Sequence, residues 1–355
     1  MGLRLVADDL TGALDAAARF VPACGPIPVF ARAAPDPPPA HLALNAETRA
    51  READIARAAA IRLAPLLATG APAFRKLDSL LRGHAAVEIA ASATLFRHVV
   101  IAPAFPYQGR ITRGGRQYLR TDAGWRDCGV DLAGELAHLG VQATPRRPGQ
   151  DVPEGVSLWD AAEDRDLDAI VAAGRALPGP VLWCGTAGLA GALTGRLPVP
   201  VPVLPRPLLG LIGSDQPVTR AQLAQLGARH HALADPHEAH ALAAALARDG
   251  AAAVTAVLPP DLPRPLALGR ILALFAGLLD ELARARAPLG TLFVSGGETL
   301  AGLLAATGTA RLDVDGELQP GVPTSLIRGG AWEGLRLVSK SGAFGDANFL
   351  ARLMG

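Results

Sequence analysis

The sequence is poor in aromatic residues, in cysteine and in any excess of charge. Phe, Tyr and Trp make up 4% of its 355 residues, although half of the chain is hydrophobic and alanine supplies much of that half. Cys24, Cys128 and Cys184 are odd in number and far apart, with no C-x-x-C pair. This argues against a disulfide framework and for reduced, buried thiols in a cytoplasmic protein. Lys and Arg number 34 against 33 Asp and Glu, a net charge of +1. Such balance argues against a nucleic-acid footprint or a membrane-surface patch. No run of about 18 apolar residues is present, so no transmembrane helix is expected. The opening residues lack the layout of a signal peptide. There is no fixed-period repeat.

What is there is an alternation of short apolar runs with longer helical patterns, over a length that suggests two domains. Leu3 to Ala7 reads as a buried strand, and Thr11 and Gly12 open a helix. Further strands are expected at His41–Asn45, Ala73–Leu77 and His98–Ala102, with a long helix over Arg49–Leu67. The stretch Leu197–Pro207 has a proline at nearly every second position and reads as an extended interdomain connection. A second series starts at Leu208, with strands at Leu208–Ile212, Ala251–Leu258, Thr291–Val294 and Leu335–Val338. The fold class is therefore α/β: two domains, each a mainly parallel sheet flanked by helices, with the active site in the interdomain cleft. The domains are 1–196 and 208–355, joined by a Pro-rich linker at 197–207.

Polar residues cluster where these strands end, which is where open α/β sheets bind ligands. Asp8 and Asp9 sit between the first strand and its helix. A single Asp there is a helix cap; two in a row, followed by Thr11 and Gly12, suggest a site. In the first half the clusters are charged: Asp8, Asp9, Lys76, Asp78, Ser79 and Arg82. They suit a small hydroxy acid, because Arg grips a carboxylate in bidentate fashion and Asp accepts a hydroxyl proton. In the second half they are small and glycine-rich: Gly213 and Ser214, Gly296 to Thr299, Ser341 and Gly342. They suit phosphate, since glycine lets backbone N–H groups approach and a following helix N-terminus favours negative charge.

Familiar signatures are missing. There is no G-x-x-x-x-G-K-[ST], no protein-kinase H-R-D or D-F-G set and no G-x-S-x-G elbow. An aspartyl phosphatase would need a second Asp where Leu10 stands. His230, His231, His237 and His240 cluster without matching a zinc-ligand spacing and read as a solvated surface.

Seven segments, in order along both halves, resemble the four-carbon acid sugar kinase family. They are Asp8 to Asp15; Lys76 to Gly83; Pro103 to Pro106 with Gly109, Arg110 and Thr112; Gly213 and Ser214 with Pro217 to Thr219; Gly296 to Thr299; Pro320 to Pro323; and Lys340 to Gly345. Leu80 stands where Thr is usual, Ile111 where Thr is usual, His84 where Asn follows Arg-Gly, and Ala343 where Asn is usual; Asp215 and Gln216 are unusual before Pro217.

The resemblance implies ATP-dependent phosphorylation of a threonate, erythronate or 3-oxo-tetronate, with the first domain binding the acid and the second ATP, and with Mg²⁺ on the phosphates. Lys76, Asp78, Ser79, Arg82 and Arg110 are the expected acid-binding residues. Ser214, Gly296, Gly297, Glu298, Thr299 and Gly342 are the expected nucleotide-binding residues; no metal ligand is assigned. One of Asp8 and Asp9 is the expected base and the other caps the helix or orients substrate, with Asp9 favoured as base for its place nearer the helix N-terminus. A structural Arg82–Asp78 ion pair is the competing role for Arg82. The alternative function is a non-catalytic sugar-acid sensor retaining the kinase fold, which the altered loops at Leu80, His84 and Ala343 keep open. The partners are the sugar acid and ATP, without nucleic acid or membrane; a homodimer is admitted and the oligomeric state left open.

Overall fold

The computed structural model describes residues 2–31, 33 and 35–355. The chain divides into two compact units, Met1–Pro200 and Val201–Gly355. The first contains strands β1 (Arg4–Ala7), β2 (Ile27–Phe30), β3 (Leu42–Asn45), β4 (Ala73–Lys76), β5 (His98–Ala102), β6 (Arg110–Arg113), β7 (Arg116–Thr121), β8 (Gly124–Asp127), β9 (Ala143–Arg146), β10 (Gly155–Trp159) and β11 (Val181–Gly185). Its helices are α1 (Leu10–Cys24), α2 (Ala53–Ala68), α3 (Ala85–Ala93), α4 (Leu132–His138), α5 (Asp164–Arg175) and α6 (Ala187–Leu193). The main sheet runs β2-β3-β1-β4-β11-β5-β10-β9, with every pairing parallel. β6, β7 and β8 form a separate antiparallel sheet.

This strand order creates a switch point. From β1 the chain moves to one side, to β2 and β3, and then returns across β1 to β4. In sheets of this kind the crevice at the strand C-termini beside such a reversal receives the ligand. The register makes the consequence explicit: Ala7 lies opposite Asn45 on one side and Lys76 on the other. Three neighbouring strands thus deliver Asp8 and Asp9, the 45–49 segment and the Lys76–Gly83 segment to one sheet edge. β1, β3 and β4 are buried along their whole length, as central parallel strands require. α1 packs on this sheet through a mainly apolar face that also buries Asp15, and its Phe20 meets Phe74 of β4 edge-on at 5.5 Å between ring centroids.

The second unit contains β12 (Leu208–Ile212), β13 (His230–Leu233), β14 (Ala251–Ala256), β15 (Thr291–Ser295), β16 (Arg311–Gln319), β17 (Val322–Arg328) and β18 (Arg336–Lys340), with α7 (Pro217–Leu223), α8 (Ala239–Asp249), α9 (Arg264–Arg284), α10 (Gly297–Ala306) and α11 (Phe349–Met354). Its order is β13-β14-β12-β15-β18-β17-β16, parallel through β18 and antiparallel beyond it. The reversal recurs between β12 and β15, so the glycine-rich segments after β12, β15 and β18 end side by side. Residues 197–207 carry neither helix nor strand. Their later part belongs to this unit: the Pro205 carbonyl accepts from Thr291 Oγ1 at 2.7 Å.

Two expectations change. Arg49 is not helical; α2 starts at Ala53, and Arg49 lies in the loop after β3. The polar stretch with the four histidines is partly strand and helix: His230 and His231 lie on β13, and His230 Nε2 bonds with Thr255 Oγ1 at 2.9 Å.

Phe74 is fully buried. Phe74→Ala should cost about 3–5 kcal/mol, the usual range for emptying a packed aromatic site. Hydrogen exchange should show protection lost in β1, β4 and α1 and retained in β12, β15 and β18. Equal loss in both units would contradict separate cores.

Candidate active site

Asp9 is the N-cap of α1. Its Oδ1 accepts from the Gly12 N–H at 2.8 Å and its Oδ2 from Thr11 Oγ1 at 2.7 Å. This explains Thr11 and Gly12 locally: the hydroxyl completes the cap, and glycine leaves room where a Cβ would stand 2.6 Å from Asp9 Oδ1 and 3.2 Å from Lys76 Nζ. Asp8 is buried.

Both carboxylates meet a residue that the sequence reading passed over. Arg49 donates from Nε to Asp8 Oδ2 at 2.7 Å, from Nη2 to Asp8 Oδ1 at 2.8 Å, and from Nη1 to Asp9 Oδ2 at 2.5 Å. Its Nη2 also lies 3.6 Å from Asp78 Oδ1. One guanidinium therefore reaches three carboxylates. Burial pushes Asp8 upward to about 6, against the opposing pull of Arg49 and Lys76 and with a further push from the neighbouring Asp9 charge. Burial would lower Arg49, but Asp8, Asp9 and Asp78 together hold it above its ordinary value. The signal that could have found Arg49 is its place four residues after a buried strand end.

Asp78 organises the second segment. Its Oδ2 accepts from the N–H groups of Leu80 and Arg82, each at 3.1 Å. The Arg82 guanidinium forks onto it, Nε to Oδ2 at 2.8 Å and Nη2 to Oδ1 at 2.7 Å. Burial raises this carboxyl, but the Arg82 hydrogen bonds and the charges of Arg49, Arg82 and Lys76 outweigh it, so Asp78 lies well below its usual range. Arg82 thus makes the ion pair that competes with an acid-binding role, yet 62% of its side chain remains exposed. Lys76 is buried and donates to the Leu77 carbonyl at 2.7 Å. Ser79 is half-buried, and its carbonyl accepts from Gln117 Nε2 at 2.8 Å. Gln117 also donates to the Pro103 carbonyl at 3.0 Å and accepts from Thr112 Oγ1 at 2.8 Å, tying the small antiparallel sheet to the second segment. Arg110 opens β6; burial lowers it, and the charges of Asp78 and Arg82 both reach it. Lys76, Asp78, Ser79, Arg82 and Arg110 thus belong to one neighbourhood with Asp8 and Asp9.

In the second unit, Gly296 has φ +118°, a backbone that side chains rarely adopt. It ends β15 so that Gly297 can start α10. Gly342 lies against the β12 loop: a Cβ there would be 1.8 Å from Ser214 Oγ. Thr219 Oγ1 donates to the Gly342 carbonyl at 2.8 Å, and Lys340 donates to the carbonyls of Ser341 at 3.1 Å and Phe344 at 3.0 Å. Lys340 is buried, which lowers its ammonium to about 8. Thr299 is buried beside Gly213 and Gly296 and packs the loops together. Glu298 is exposed and pairs with Arg264 of α9 at 3.0 Å. Ser214, Gly296, Gly297 and Gly342 therefore lie close together at the N-terminus of α10, with Thr299 buried among the loops and Glu298 exposed. Among the described residues no group of three or more His, Cys, Asp or Glu side chains is arranged to hold a metal.

Comparison with known proteins agrees with this division. Residues 3–138 match the family model of a sugar-binding N-terminal domain, and residues 209–350 that of a nucleotide-binding C-terminal domain. A D-threonate kinase of Cupriavidus necator is 32% identical over 401 residues, covering 98% of this chain and 95% of the relative. A 3-oxo-tetronate kinase of Pseudomonas fluorescens is 33% identical over 244 residues, covering 61% of this chain and 56% of the relative. The crystal structure of a Haemophilus influenzae protein of the DUF1537 family superposes with a TM-score of 0.68 at 18% identity, covering 98% of each chain, which speaks to the fold. With two ordered sets of strand-end motifs, both domain models and a full-length relative in agreement, the chain belongs to the four-carbon acid sugar kinase family.

Proposed function

We propose that this chain phosphorylates a hydroxyl of a four-carbon sugar acid, of the threonate, erythronate or 3-oxo-tetronate type, with ATP. The observation that carries the reading is the carboxylate–cation cluster at the ends of β3, β1 and β4. It offers cations to a substrate carboxylate and a base to a hydroxyl, on the unit whose model match is a sugar-binding domain. Lys76, Ser79, Arg82 and Arg110 would hold the acid, with Asp78 fixing Arg82. The glycine-rich edge of the second unit would take the nucleotide through Ser214, Gly296, Gly297 and Gly342, with the α10 N-terminus favouring phosphate.

The base is Asp8. What supports it over Asp9 is role and environment: Asp9 is committed to the α1 cap through Gly12 and Thr11, whereas Asp8, whose two oxygens accept only from Arg49 among the described residues, is burial-tuned to about 6, near the working range of a general base. The hydroxyl proton passes to a carboxylate oxygen of Asp8. The substrate oxygen then bonds to the γ-phosphorus as the bond from that phosphorus to the bridging oxygen breaks, and ADP leaves. Mg²⁺ fits as an ion carried in on the nucleotide, since it keeps several waters and needs few protein ligands. Asp215 and Glu298 are the carboxylates on these loops that would hold it, and it would neutralise phosphate charge.

The sensor reading has less support. Leu80, which departs from the usual Thr, bonds to Asp78 through its backbone N–H, a contact that Thr and Leu make equally. A coupled assay for ADP release over a panel of four-carbon acids tests the function; binding of an acid with no ADP release under any condition would leave the sensor.

Asp8→Asn should lower kcat by about 10²- to 10⁴-fold, the usual worth of general-base help, with ATP affinity retained. Asp9→Asn should stay close to wild type, because Asn caps about as well as Asp. The reverse result would move the base to Asp9. Since Asp8 must be ionised to accept a proton, kcat/KM should be full above and fall as pH drops through about 6; a profile flat across that range would count against Asp8. Gly342→Ala should push Ser214 aside and raise the KM for ATP while leaving that for the acid unchanged. An equal rise in both would remove Gly342 from the nucleotide site.

A further inference from the structure

Arg49 has no part in the function as derived so far, yet the charged cluster is arranged around it. It donates to Asp8 through both arms of its fork and to Asp9 through the remaining amino group, and reaches Asp78 at 3.6 Å. Its backbone is fastened as well: the N–H groups of Thr48 and Arg49 both donate to the Asp8 carbonyl, at 3.0 and 3.2 Å. On the other side Gly83, at φ +85°, lies against it, and a Cβ there would be 3.2 Å from Arg49 Cα and 3.3 Å from its Cγ. The glycine that closes the second segment therefore makes room for Arg49.

Behind the loop lies a second, wholly buried polar chain. Thr48 Oγ1 donates to Glu88 Oε1 of α3. Arg75, on β4, donates from Nη1 to Glu88 Oε2 at 3.3 Å and from Nη2 to Ser92 Oγ at 3.0 Å. Arg75, Glu88, Thr48 and Ser92 are all at most 1% exposed. Removing an ion pair this deep from water is costly and is weak support for stability by itself. Here it fixes the residue immediately before Arg49.

We propose that Arg49 is the positioning residue of the acceptor site, holding Asp8 in register with Asp9 and Asp78, and that the buried chain Arg75–Glu88–Thr48 aims it. The assignment rests on the proposed kinase reaction for its kinetic consequence, but not for its structural one. Asp8 is faced by Arg49 from the β3 loop, by Lys76 from β4 and by Asp9 on its own segment. Removing Arg49 leaves Lys76 as the remaining cation against two carboxylates, so the base becomes harder to ionise as well as misplaced.

The test uses the full chain with Arg49→Gln, Arg49→Lys, Thr48→Val and Thr48→Ser, each checked for native circular dichroism. In Arg49→Gln, kcat should fall by about 10²-fold, the scale of a small misplacement of a reacting group. The acid limb of kcat/KM should move up by about one pH unit or more, as expected when an opposite charge is lost. Arg49→Lys should keep most of the limb position and lose turnover, since it retains charge without the fork. Thr48→Val should lose turnover in the same direction, and Thr48→Ser should restore it. A kcat loss with an unmoved limb, or a rise in the KM for the acid alone, would overturn the proposal in favour of packing or direct substrate binding. An isotope-edited carboxyl titration of Asp8, assigned with Asp8→Asn, gives the same answer without turnover. If Asp8 shifts in Arg49→Gln while wild type releases no ADP with any acid, the kinase reading fails and the Arg49 assignment stands. If wild type turns over and Asp8 does not shift, Arg49 is not the positioning residue.

Discussion

Three aspartates near one another cannot all remain ionised without counter-charge, and the first unit puts one guanidinium, Arg49, within reach of all three, with Lys76 and Arg82 beside them. Arg49 touches Asp8 and Asp9 directly and comes within 3.6 Å of Asp78. Arginine suits the task better than lysine, because its planar fork presents several donors in fixed directions and stays charged when buried. Much of the surrounding structure serves this arrangement. The parallel register of β1 with β3 and β4 sets the approach of the three segments, Gly83 leaves the space, and the Thr48–Glu88–Arg75 chain holds the loop from behind.

The two units reach their sites by the same topological device and fill them with opposite chemistry. Each begins with a central strand, sends the chain to one side and brings it back across that strand. In the first unit the resulting crevice is charged and formed by side chains. In the second it is formed by backbone, with Thr299, Thr219 and Lys340 bonding or packing beneath the loops. A small anionic acid needs directional side-chain donors. A polyphosphate is served by N–H groups and a helix terminus.

Much of this was legible in the sequence because charged residues interrupting the end of an apolar run have few structural reasons to be there. Asp8, Asp9, Lys76, Asp78 and Arg82 were found that way. Arg49 was not, because it also fits the start of the long alanine-rich helix, and only the observed start of α2 at Ala53 shows that the loop continues to Glu52. The roles of Asp8 and Asp9 were not legible either: both are acidic and adjacent, and only the surroundings of each side chain separate the cap from the buried carboxyl. The antiparallel β16–β17 pair was passed over although Leu312 and Val314 alternate inward with Asp313 and Asp315 between them, because polar residues outnumber apolar ones there. The small β6–β8 sheet has little apolar alternation, and its β8 is exposed throughout.

The bond between the Leu80 N–H and Asp78 bears on how relatives of this chain are recognised. A loop that turns on its own main chain tolerates exchange of the side chain at that position, whereas one that turns on a side chain does not. Within the second segment, Asp78 and Gly83 belong to the fixed class and Leu80 to the free one. A search pattern that demands the customary Thr would discard sequences whose loop is intact. One that fixes the Asp, the Gly and a distant Arg after the third strand would follow the part of the fold that cannot drift.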